Sequence, residues 1–487
     1  MPLTITFYGG VNEVGGNKIL IDDNGTRIFF DFGASFMKKS RYFDLFTYPR
    51  SINLLINLGI IPKIDNLYSV GLEKAFEEKT KEYNFEMDPE PPVDAVFISH
   101  VHLDHVGHIS LLSRKTPIYM GECAKDILKA RISLYDGARA IDYVFNGIIE
   151  NIHTFRSYDR IKIGNVEVIP IHVDHSIPSA YGFIVRTSEG KTIAYTGDLR
   201  WHGEKHLTDD FVRYIEKLEN IDCLICECTH IDFSGLVSED EVVEKASAIS
   251  RSFEGNILVN FSRTDYDRFF SFKKTCEDTD TYYLVDFERW IVMNTISNCT
   301  GMRRRIDINS PQLRIYLTKK RYSRKLLGDL CDLIDNYGDK VLRLETLTNK
   351  ELKERNQEIG LLADFLQSLE KEGKKAIITI PRPSADVIMK ISHGKNIYIL
   401  ASSEPLNEES EISFERLQNW LEIYGIPIYH IHSSGHITPL DLRRLILRSS
   451  PKTIIPVHGE RPGLLARFIG EEKATWILPE IERLIEL

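Results

Sequence analysis

Short apolar runs that end abruptly in polar turns recur along the chain, and the run at residues 95–98 is the most informative. Its apolar character predicts a short buried strand, and the apolar residues 109–112 that follow Gly107 predict a helix. The turn between these two elements contains four histidines and one aspartate. They are His100, His102, Asp104, His105 and His108.

This concentration of histidine predicts a metal-binding turn. The chain has only 15 histidines among 487 residues, and four of them fall within nine positions. Neutral imidazole and carboxylate groups are the usual protein ligands of zinc and similar first-row metals. Side chains one or three residues apart can converge on one side of a turn, so the spacing suits a shared ion.

Three later apolar runs, which predict further strands, also end in a ligand-type side chain. These pairs are residues 166–171 with His175, residues 192–195 with Asp198, and residues 453–457 with His458. His172 lies at the first of these strand ends, and we expect it to be structural. The chain therefore presents ligand-type groups at the ends of several predicted strands.

A further predicted strand, residues 221–228, carries Glu227 near its end. Cys223 and Cys226 form a lone Cys-x-x-Cys pair, which is weak support for a zinc site without a second pair. We therefore interpret both cysteines as side chains packed inside a buried strand. Helices are predicted at residues 72–83, 123–135, 239–253, 352–371, 414–424 and 439–447, and strands at residues 256–259, 375–380, 397–400 and 427–429.

The composition is that of an ordinary globular protein. The 487 residues are 43% hydrophobic and 27% charged, and they suffice for two or three domains. The sequence has no recognisable secretory leader and no apolar run long enough to cross a bilayer, so we expect a cytoplasmic protein without a membrane partner. The seven scattered cysteines do not indicate a disulfide framework.

The formal net charge of −10 requires that any contact with nucleic acid be local. Residues 35–43 mix basic and aromatic side chains, which suits a groove for single-stranded nucleic acid, although a packed surface hairpin explains the same pattern. Basic clusters at residues 303–305, 319–321 and 324–325 either contact nucleic acid or form solvated faces.

The His-x-His-x-Asp-His turn after a strand resembles the signature of the metallo-β-lactamase fold, an αββα sandwich with two metal ions at its edge. One subset, the β-CASP nucleases, adds an inserted domain, an acid on a strand, a histidine after Ser-Gly and a late histidine at a strand end. This chain has all three side chains in that order, as Glu227, His436 and His458. In the same fold, Asp31 matches an acid that orients the histidine-rich turn.

Within that subset the sequence is most similar to the ribonuclease J family, including its archaeal members. The matching motifs are residues 9–17, 175–178, 430–436 and 456–460. Ser179 departs from the usual aspartate, and the bacterial C-terminal domain is missing, which leaves a homodimer open. The resemblance implies a metallo-β-lactamase domain at residues 1–235, an inserted β-CASP α/β domain at residues 236–408, and a return to the first domain at residues 409–487.

The resemblance implies a zinc-dependent ribonuclease that hydrolyses RNA, expected to be single-stranded, with two metal ions. Two Zn²⁺ ions are expected, with Mn²⁺ or Mg²⁺ as alternatives. One metal would be held by His100, His102 and His175. The other would be held by Asp104, His105 and His458, with Asp198 bridging the two ions.

The resemblance also implies catalytic roles for Asp104, Asp198, Glu227 and His436. We expect His436 to protonate the leaving 3′-oxygen while Glu227 keeps it cationic, although His436 could serve only as a phosphate clamp. Contacts to a terminal 5′-phosphate are expected from Ser402, Ser403, Ser434 and Gly435. They would favour 5′–3′ exonuclease action with additional endonuclease activity, but such seryl loops are also common without this role.

Three alternatives remain open at this stage. A DNA nuclease of the crosslink-repair branch typically has valine at the late motif, so His458 favours RNA. A non-catalytic RNA-processing scaffold would have lost metal ligands, and none is missing here. A small-molecule hydrolase such as a thioesterase should lack the insertion, Glu227 and His436.

Overall fold

The protein is described here by a computed structural model that covers residues 2–43, 49, 51–78, 84–134, 149–218, 220–232, 238–380, 385–391, 394–402, 408–470 and 474–487. The chain divides into two compact units. The first unit comprises Met1–Ile132, Gly137–Gly235 and Gly435–Leu487. The second unit comprises Ser133–Asp136 and Leu236–Ser434.

The described residues form strands and helices throughout both units. The strands are β1 Thr4–Gly9, β2 Lys18–Asp23, β3 Thr26–Phe30, β4 Ala95–Phe97, β5 Ile118–Gly121, β6 Ile152–Phe155, β7 Ile161–Ile163, β8 Val166–Val173, β9 Ala180–Arg186, β10 Thr192–Tyr195, β11 Cys223–Glu227, β12 Asn256–Asn260, β13 Tyr282–Asp286, β14 Leu313–Leu317, β15 Val341–Arg343, β16 Gly360–Leu361, β17 Ala376–Thr379, β18 Asn396–Leu400, β19 Ile428–His430, β20 Thr453–Val457, β21 Thr475–Trp476 and β22 Leu484–Glu486.

The α-helices mostly follow strands and cover the sheets. They are α1 Phe36–Ser40, α2 Ile52–Asn57, α3 Val70–Glu77, α4 Leu103–Val106, α5 Glu122–Ser133, α6 Leu207–Glu216, α7 Glu239–Ser252, α8 Tyr266–Asp278, α9 Phe287–Asn298, α10 Arg324–Tyr337, α11 Leu362–Lys371, α12 Ala385–Ile391, α13 Glu408–Ile423, α14 Pro439–Ser449 and α15 Pro462–Ile469. Single 3₁₀ turns lie at Phe85–Met87, Ile109–Leu111, Ile149–Asn151, Gly338–Lys340, Lys350–Leu352 and Glu354–Gln357.

The first unit is built on two seven-stranded sheets. Their strand orders are β22-β1-β2-β3-β4-β5-β6 and β21-β20-β11-β10-β9-β8-β7. Apolar side chains from both sheets, among them Phe30, Phe97 and Phe183, form one buried cluster. A second cluster joins the other face of the second sheet to α6, α14 and α15. This layered packing confirms the expected metallo-β-lactamase sandwich.

Two backbone segments bind the short helix α4: Asn17, at the end of the glycine-rich motif, and residues 32–34, which follow β3. The amide N–H groups of Asn17, Phe32 and Ala34 donate to the backbone carbonyls of Asp104, His105 and Leu103 at 2.8–3.1 Å. A Cβ atom on Gly33 would lie only 1.6 Å from the Asp104 carbonyl oxygen, so this approach requires glycine. These two segments therefore fix the backbone that carries Asp104 and His105.

The second unit contains one eight-stranded sheet, with the order β16-β15-β14-β13-β17-β12-β18-β19. Every pairing in this sheet is parallel. Strands buried on both faces explain the near-continuous apolar runs in this part of the sequence. Leu258, Leu284, Ile378 and Tyr398 lie in the buried cluster on one side of the sheet. The second unit therefore has an α/β architecture.

The limits of some elements differ from those predicted. The return to the first unit begins at Gly435 and not at residue 409, because β19 pairs in parallel with β18 and so belongs to the inserted sheet. The helix predicted at residues 352–371 is α-helical only over Leu362–Lys371, because Gly360–Leu361 forms a short strand against β15. The helix expected after Gly107 is only a 3₁₀ turn, Ile109–Leu111. A separate short helix, Leu103–Val106, precedes Gly107 and carries Asp104 and His105.

Other predictions concern the long insertion after β3. Residues 35–43 begin with α1, which Ser35 caps by accepting from the Lys38 amide, and this is a short helix instead of a hairpin. The helix predicted at residues 72–83 is observed as Val70–Glu77, and residues 79–83 lie outside the described ranges. Tyr135, the predicted end of another helix, also lies outside them. Within the described ranges, each helix is too short or too polar to span a membrane.

Candidate metal centre

Strand ends in the first unit bring the predicted ligands together. β10, β11 and β20 are parallel neighbours, so their carboxyl ends lie at one edge of the second sheet. Ligand-type donor atoms form three groups, and within each group all of them lie within 4.8 Å of one another. Two groups contain the predicted metal ligands, and the third comprises Glu227, His436 and His458. The imidazole cluster is His100, His102 and His175, and the carboxylate cluster is Asp104, His105, Asp198 and His458.

The imidazole cluster is compact and buried. Nδ1 of His102 lies 3.0 Å from Nε2 of His100 and 3.1 Å from Nε2 of His175. His100 and His175 are buried, and His102 is partly buried. Three ring nitrogens from two separate strand ends therefore point at one position.

The carboxylate cluster centres on Asp198. Its Oδ2 lies 3.0 Å from Nε2 of His105 and 3.6 Å from Nε2 of His458, and the latter nitrogen is 3.2 Å from Oδ2 of Asp104. The same Asp198 oxygen is 3.8 Å from Nε2 of His100, so Asp198 borders both clusters. Its Oδ1 is buried and has no hydrogen-bond partner among the described residues.

Hydrogen bonds behind the rings decide which nitrogen each histidine presents. Nδ1 of His175 lies 2.6 Å from the Gly435 carbonyl oxygen, which can only accept, so Nδ1 carries the proton. Nδ1 of His105 lies 2.8 Å from Oδ2 of Asp31, which acts in the same way. Both histidines therefore direct Nε2 into their cluster, as metal-ligating histidines commonly do.

Two hydroxyl groups act in the same way on His100 and His458. The Ser99 hydroxyl donates to Asp31 at 2.9 Å and can therefore accept from Nδ1 of His100, 3.1 Å away. The Thr229 hydroxyl donates to the His458 carbonyl at 2.9 Å and accepts from Nδ1 of that histidine at 2.9 Å. Nε2 is again the nitrogen that faces the cluster.

Asp31 is the common support of this arrangement. Its carboxylate accepts from the amide and hydroxyl of Ser99, from His105 and from the Tyr195 hydroxyl at 2.7–2.9 Å. Its φ is +58°, which is unusual for a residue other than glycine, and His458 has a φ of +54°. The structure places Asp31 where the resemblance implies, directly behind the histidine-rich turn.

The two clusters differ in protonation. Burial lowers the pKa of His100 and of His175 well below the usual value, and neighbouring imidazoles lower both further. Burial likewise lowers the pKa of His102 to about 4. Burial also acts to lower the pKa of His105, but Asp198, Asp31 and Asp104 raise it well above its usual value. The imidazole cluster is thus neutral, whereas the carboxylate cluster holds a proton.

Glu227 and His436 form a pair next to the two clusters. Nδ1 of His436 lies 2.9 Å from Oε2 of Glu227 and 3.9 Å from Oδ2 of Asp198. Oε1 of Glu227 accepts from the Leu199 amide at 2.8 Å, which fixes the carboxylate. Burial acts to lower the pKa of His436, but Glu227 raises it to about 9. His436 is therefore cationic at neutral pH, so both of its ring nitrogens carry a proton.

The donor sets fit divalent cations. Four ligands at Zn–N distances of 2.0–2.1 Å in a tetrahedron are separated by about 3.3 Å, and imidazole and carboxylate are the usual zinc ligands. The ring nitrogens of the imidazole cluster are 3.0 and 3.1 Å apart. The free buried oxygen of Asp198 is the atom that an additional ligand contact would satisfy.

The remaining predicted residues lie in different places. Ser402 and Ser434 belong to the second unit, Gly435 begins the last segment of the first unit, and Ser403 lies outside the described residues. His172 stacks on Tyr181 with ring centroids 4.2 Å apart, in agreement with a structural role. Cys223 and Cys226 are free thiols buried in β11. His108 is buried but belongs to neither cluster.

Sequence reasoning missed the groups that orient the ligands. Ser99, Thr229 and Tyr195 each contribute a hydroxyl, and Gly435 contributes its carbonyl to His175. The phosphate contact predicted for Gly435 stays a prediction. Their only sequence signal is their position next to ligands or strand ends. Together, the layered fold and the two ligand clusters define a metal-dependent hydrolase of the metallo-β-lactamase fold.

Comparisons with known proteins agree with this class. Residues 75–244 match the family described as "Beta-lactamase superfamily domain". Residues 421–472 match the "Zn-dependent metallo-hydrolase RNA specificity domain". A crystal structure of a protein of unknown function from Enterococcus faecalis V583 has a TM-score of 0.71 and 22% identity, and the match covers 100% of both chains. At that identity the likeness shows the fold alone.

Two curated relatives are named ribonuclease J. Ribonuclease J of Mycoplasma genitalium is 23% identical over 473 residues, covering 94% of this chain and 68% of that protein. Ribonuclease J of Pyrococcus abyssi is 22% identical, covering 94% of this chain and 90% of that protein. The chain is therefore similar to ribonuclease J over 94% of its length, which confirms the resemblance inferred from its motifs.

Proposed function

We propose that this hydrolase cleaves the phosphodiester bonds of RNA. The names of its relatives and the match to an RNA specificity domain support RNA as the substrate. The observation that carries the proposal is the cationic His436 held by Glu227 beside the two ligand clusters. This arrangement combines ligands for cations with a proton donor, as hydrolysis of a phosphodiester requires.

The metal ligands of the proposal are those of the two clusters. One cation would be held by His100, His102 and His175, and a second by Asp104, His105 and His458, with Asp198 between them. Divalent cations in such a site acidify a water molecule to a pKa of about 7 and offset the charge that develops on the phosphate. We propose zinc as the metal because imidazole dominates the donor set, with Mn²⁺ or Mg²⁺ as alternatives.

The residues of the chain then perform the proton transfers. His436 donates the proton on Nε2 to the leaving 3′-oxygen, because its Nδ1–H is already engaged by Glu227. Asp31, Ser99 and Thr229 hold the ligand rings in their orientation throughout, so little reorganisation accompanies the reaction. Glu227 stabilises the cationic form of His436 before the transfer.

Finer features of the proposal come from the resemblance. We propose 5′–3′ exonuclease action on single-stranded RNA, with additional endonuclease activity, and contacts from Ser402, Ser403, Ser434 and Gly435 to a terminal phosphate. A cytoplasmic location and a homodimeric state also stay predictions. The DNA nuclease, the non-catalytic scaffold and the small-molecule hydrolase are the competing outcomes of the test.

The test is to incubate metal-loaded protein with RNA of one sequence that carries either a 5′-monophosphate or a 5′-triphosphate, and with matched DNA. Mononucleotide products from RNA would support exonuclease action, and internal fragments endonuclease action. Faster cleavage of DNA would support the DNA nuclease instead. Absence of cleavage by protein that retains its metal would contradict the proposal.

A pair of variants tests whether the activity belongs to this site. His436→Asn removes the proposed proton donor and should lower kcat by about 10²-fold or more. His206→Asn is the matched control, since the His206 side chain is 72% exposed and is not part of either cluster. Equal activity of the two variants would exclude His436 as the proton donor.

A further inference from the structure

A fully buried ion pair in the second unit links four of its elements. Arg268 lies in the first turn of α8 and Glu239 is the first residue of α7, and the two are 0% and 3% exposed. Nε and Nη2 of Arg268 lie 3.1 Å from the two carboxylate oxygens of Glu239. This fork-to-fork pairing fixes the plane of the guanidinium group.

The remaining donors of Arg268 bind two backbone carbonyls. Nη1 donates to the carbonyl of Ala401, which follows β18 directly, and Nη2 donates to the carbonyl of Ser433 at 3.2 Å. β18 and β19 are parallel neighbours, so both carbonyls lie at the carboxyl edge of the sheet. One arginine therefore holds the residue directly after β18 and the third residue after β19.

The direction of these carbonyls determines the direction of two amide groups. In a planar trans peptide, the C=O and the following N–H point in opposite directions. Because the Ala401 and Ser433 carbonyls point at the buried guanidinium, the N–H groups of Ser402 and Ser434 point away from it. The Ser433 hydroxyl is also buried, and it has no hydrogen-bond partner among the described residues.

We propose that Arg268, held by Glu239, is a positioning residue that aims the backbone N–H groups of Ser402 and Ser434 at an anionic phosphate group of the substrate. The proposal rests on the proposed function, because it assigns the phosphate to the 5′ end of RNA. Paired N–H donors at the ends of parallel strands suit an anion, since they supply partial positive charge without a side-chain cation. Arg268 itself does not touch the substrate.

The same sheet provides a matched control. Arg289 is 1% exposed and pairs with Asp286, with Nε 3.1 Å from Oδ2. It donates to the carbonyls of Phe261 and Ser262 at 3.0 Å, again at the end of a strand. Substitution of Arg289 should therefore cost similar stability, but it leaves the peptides before Ser402 and Ser434 in place.

The test measures the preference for a 5′-monophosphate over a 5′-hydroxyl in binding to a hydrolysis-resistant 2′-O-methyl oligonucleotide, by fluorescence anisotropy. Arg268→Lys keeps the charge but not the fork, and a lysine cannot hold both carbonyls and the carboxylate in one plane. The preference should fall roughly 10-fold, because hydrogen bonds to a charged group lose strength steeply when misaligned. Arg289→Lys should keep the preference of the unmodified protein.

A second variant keeps the proposal testable if Arg268→Lys fails to fold in a thermal melt. Glu239→Gln retains Arg268 but weakens the pairing that fixes the guanidinium plane, so it should lower the preference by a smaller factor. Equal preference in Arg268→Lys, or in Glu239→Gln where that variant is used, and in the unmodified protein would overturn the proposal. So would an unmodified protein that binds both oligonucleotides equally.

The binding measurement separates this proposal from the proposed function. A protein that prefers the 5′-monophosphate and loses the preference in Arg268→Lys, but cleaves no RNA, would support the positioning role and contradict the nuclease. If the protein cleaves RNA but the preference is the same in Arg268→Lys and Arg289→Lys, the nuclease is supported and the positioning role is contradicted.

Discussion

The imidazole cluster and the carboxylate cluster share a border at Asp198 but differ in charge. His100, His102 and His175 form a neutral set, because burial lowers the pKa of each ring. In the carboxylate cluster burial is outweighed at His105, where three carboxylates raise the pKa of the ring. Two adjacent sites made of similar ligands therefore begin from different protonation states.

This difference shows that the carboxylates around His105, two of which belong to the same cluster, set the protonation of that site. The three rings of the imidazole cluster are neutral at pH 7, so they can bind a cation without first losing a proton. In the carboxylate cluster, a proton on His105 balances part of the negative charge of the carboxylates, and a bound cation would displace that proton. We therefore expect the two sites to respond differently to mutation and to pH.

The largest effect is expected at Asp198, because it borders both clusters and its substitution should affect both of them. Asp198→Asn removes the charge that faces both and should lower kcat by about 10³-fold, equivalent to ~4 kcal/mol. Metal analysis and RNA cleavage assays check this result. Asp210→Asn is the control, because Asp210 is exposed and pairs with Arg213; similar losses in both variants would contradict the bridging position.

A smaller effect is expected from Glu227→Gln. This variant tests the charged pair of Glu227 and His436, which lies beside the carboxylate cluster. Glu227 raises the pKa of His436 to about 9, so its loss should return that pKa towards its ordinary value. Activity should then decline at a lower pH than in the unmodified protein, with kcat reduced about 10²-fold at neutral pH. The pH–rate profile, together with NMR of the His436 ring, measures the shift.

A substitution next to the imidazole cluster alone tests whether the two clusters bind metal independently. A Cβ atom on Gly435 would lie 3.0 Å from Cε1 of His175 and 2.9 Å from the Ser176 hydroxyl. Gly435→Ala should therefore turn the His175 ring and weaken metal binding at that cluster roughly 10-fold. Metal titration should show a weakened site beside an unchanged one; equal weakening of both would argue against separate sites.

The matched control for this substitution is Gly328→Ala. Gly328 lies inside helix α10, and a Cβ atom there meets nothing within 4 Å. Alanine favours the helix by about 1 kcal/mol over glycine, so this variant should be equally or more stable and retain full metal affinity.

The smallest expected effect is a difference in the number of protons that each cluster releases when it binds a metal ion. Because the pKa of His105 is raised, metal uptake by the carboxylate cluster at pH 7 should release about one proton, whereas the imidazole cluster should release none. Below the pKa of His105, each unit of pH should weaken the carboxylate cluster about tenfold. Calorimetry in buffers of different ionisation enthalpy measures this release; His458→Ala should abolish it, and His175→Ala should not.

Much of the fold could be predicted because its strands are strongly patterned. The apolar runs that became β8, β10 and β20 were recognisable, as were the ligands at their ends. The limit of the inserted domain was harder, because β19 is short and its partner β18 lies before a long helix. The break at Gly360 was also missed, since the surrounding residues continue an amphipathic pattern that a helix would satisfy.

The site could be predicted less completely than the fold. Ligands such as His100 and Asp198 have distinctive chemistry and spacing, so their motifs stand out. Ser99, Thr229 and the carbonyl of Gly435 orient those ligands through contacts between distant segments, and any hydroxyl or peptide could do so. Only the three-dimensional arrangement distinguishes them from ordinary serines, threonines and glycines.

The position of His458 has a consequence for the newborn chain. His458 Nε2 lies 3.2 Å from Oδ2 of Asp104, although 354 positions separate the two residues. Since ribosomes deliver the N-terminal part first, a growing polypeptide can assemble the three-histidine set long before this last ligand emerges. A chain whose synthesis has not yet passed His458 therefore lacks one member of the carboxylate cluster, and that cluster can close only after the imidazole cluster has formed.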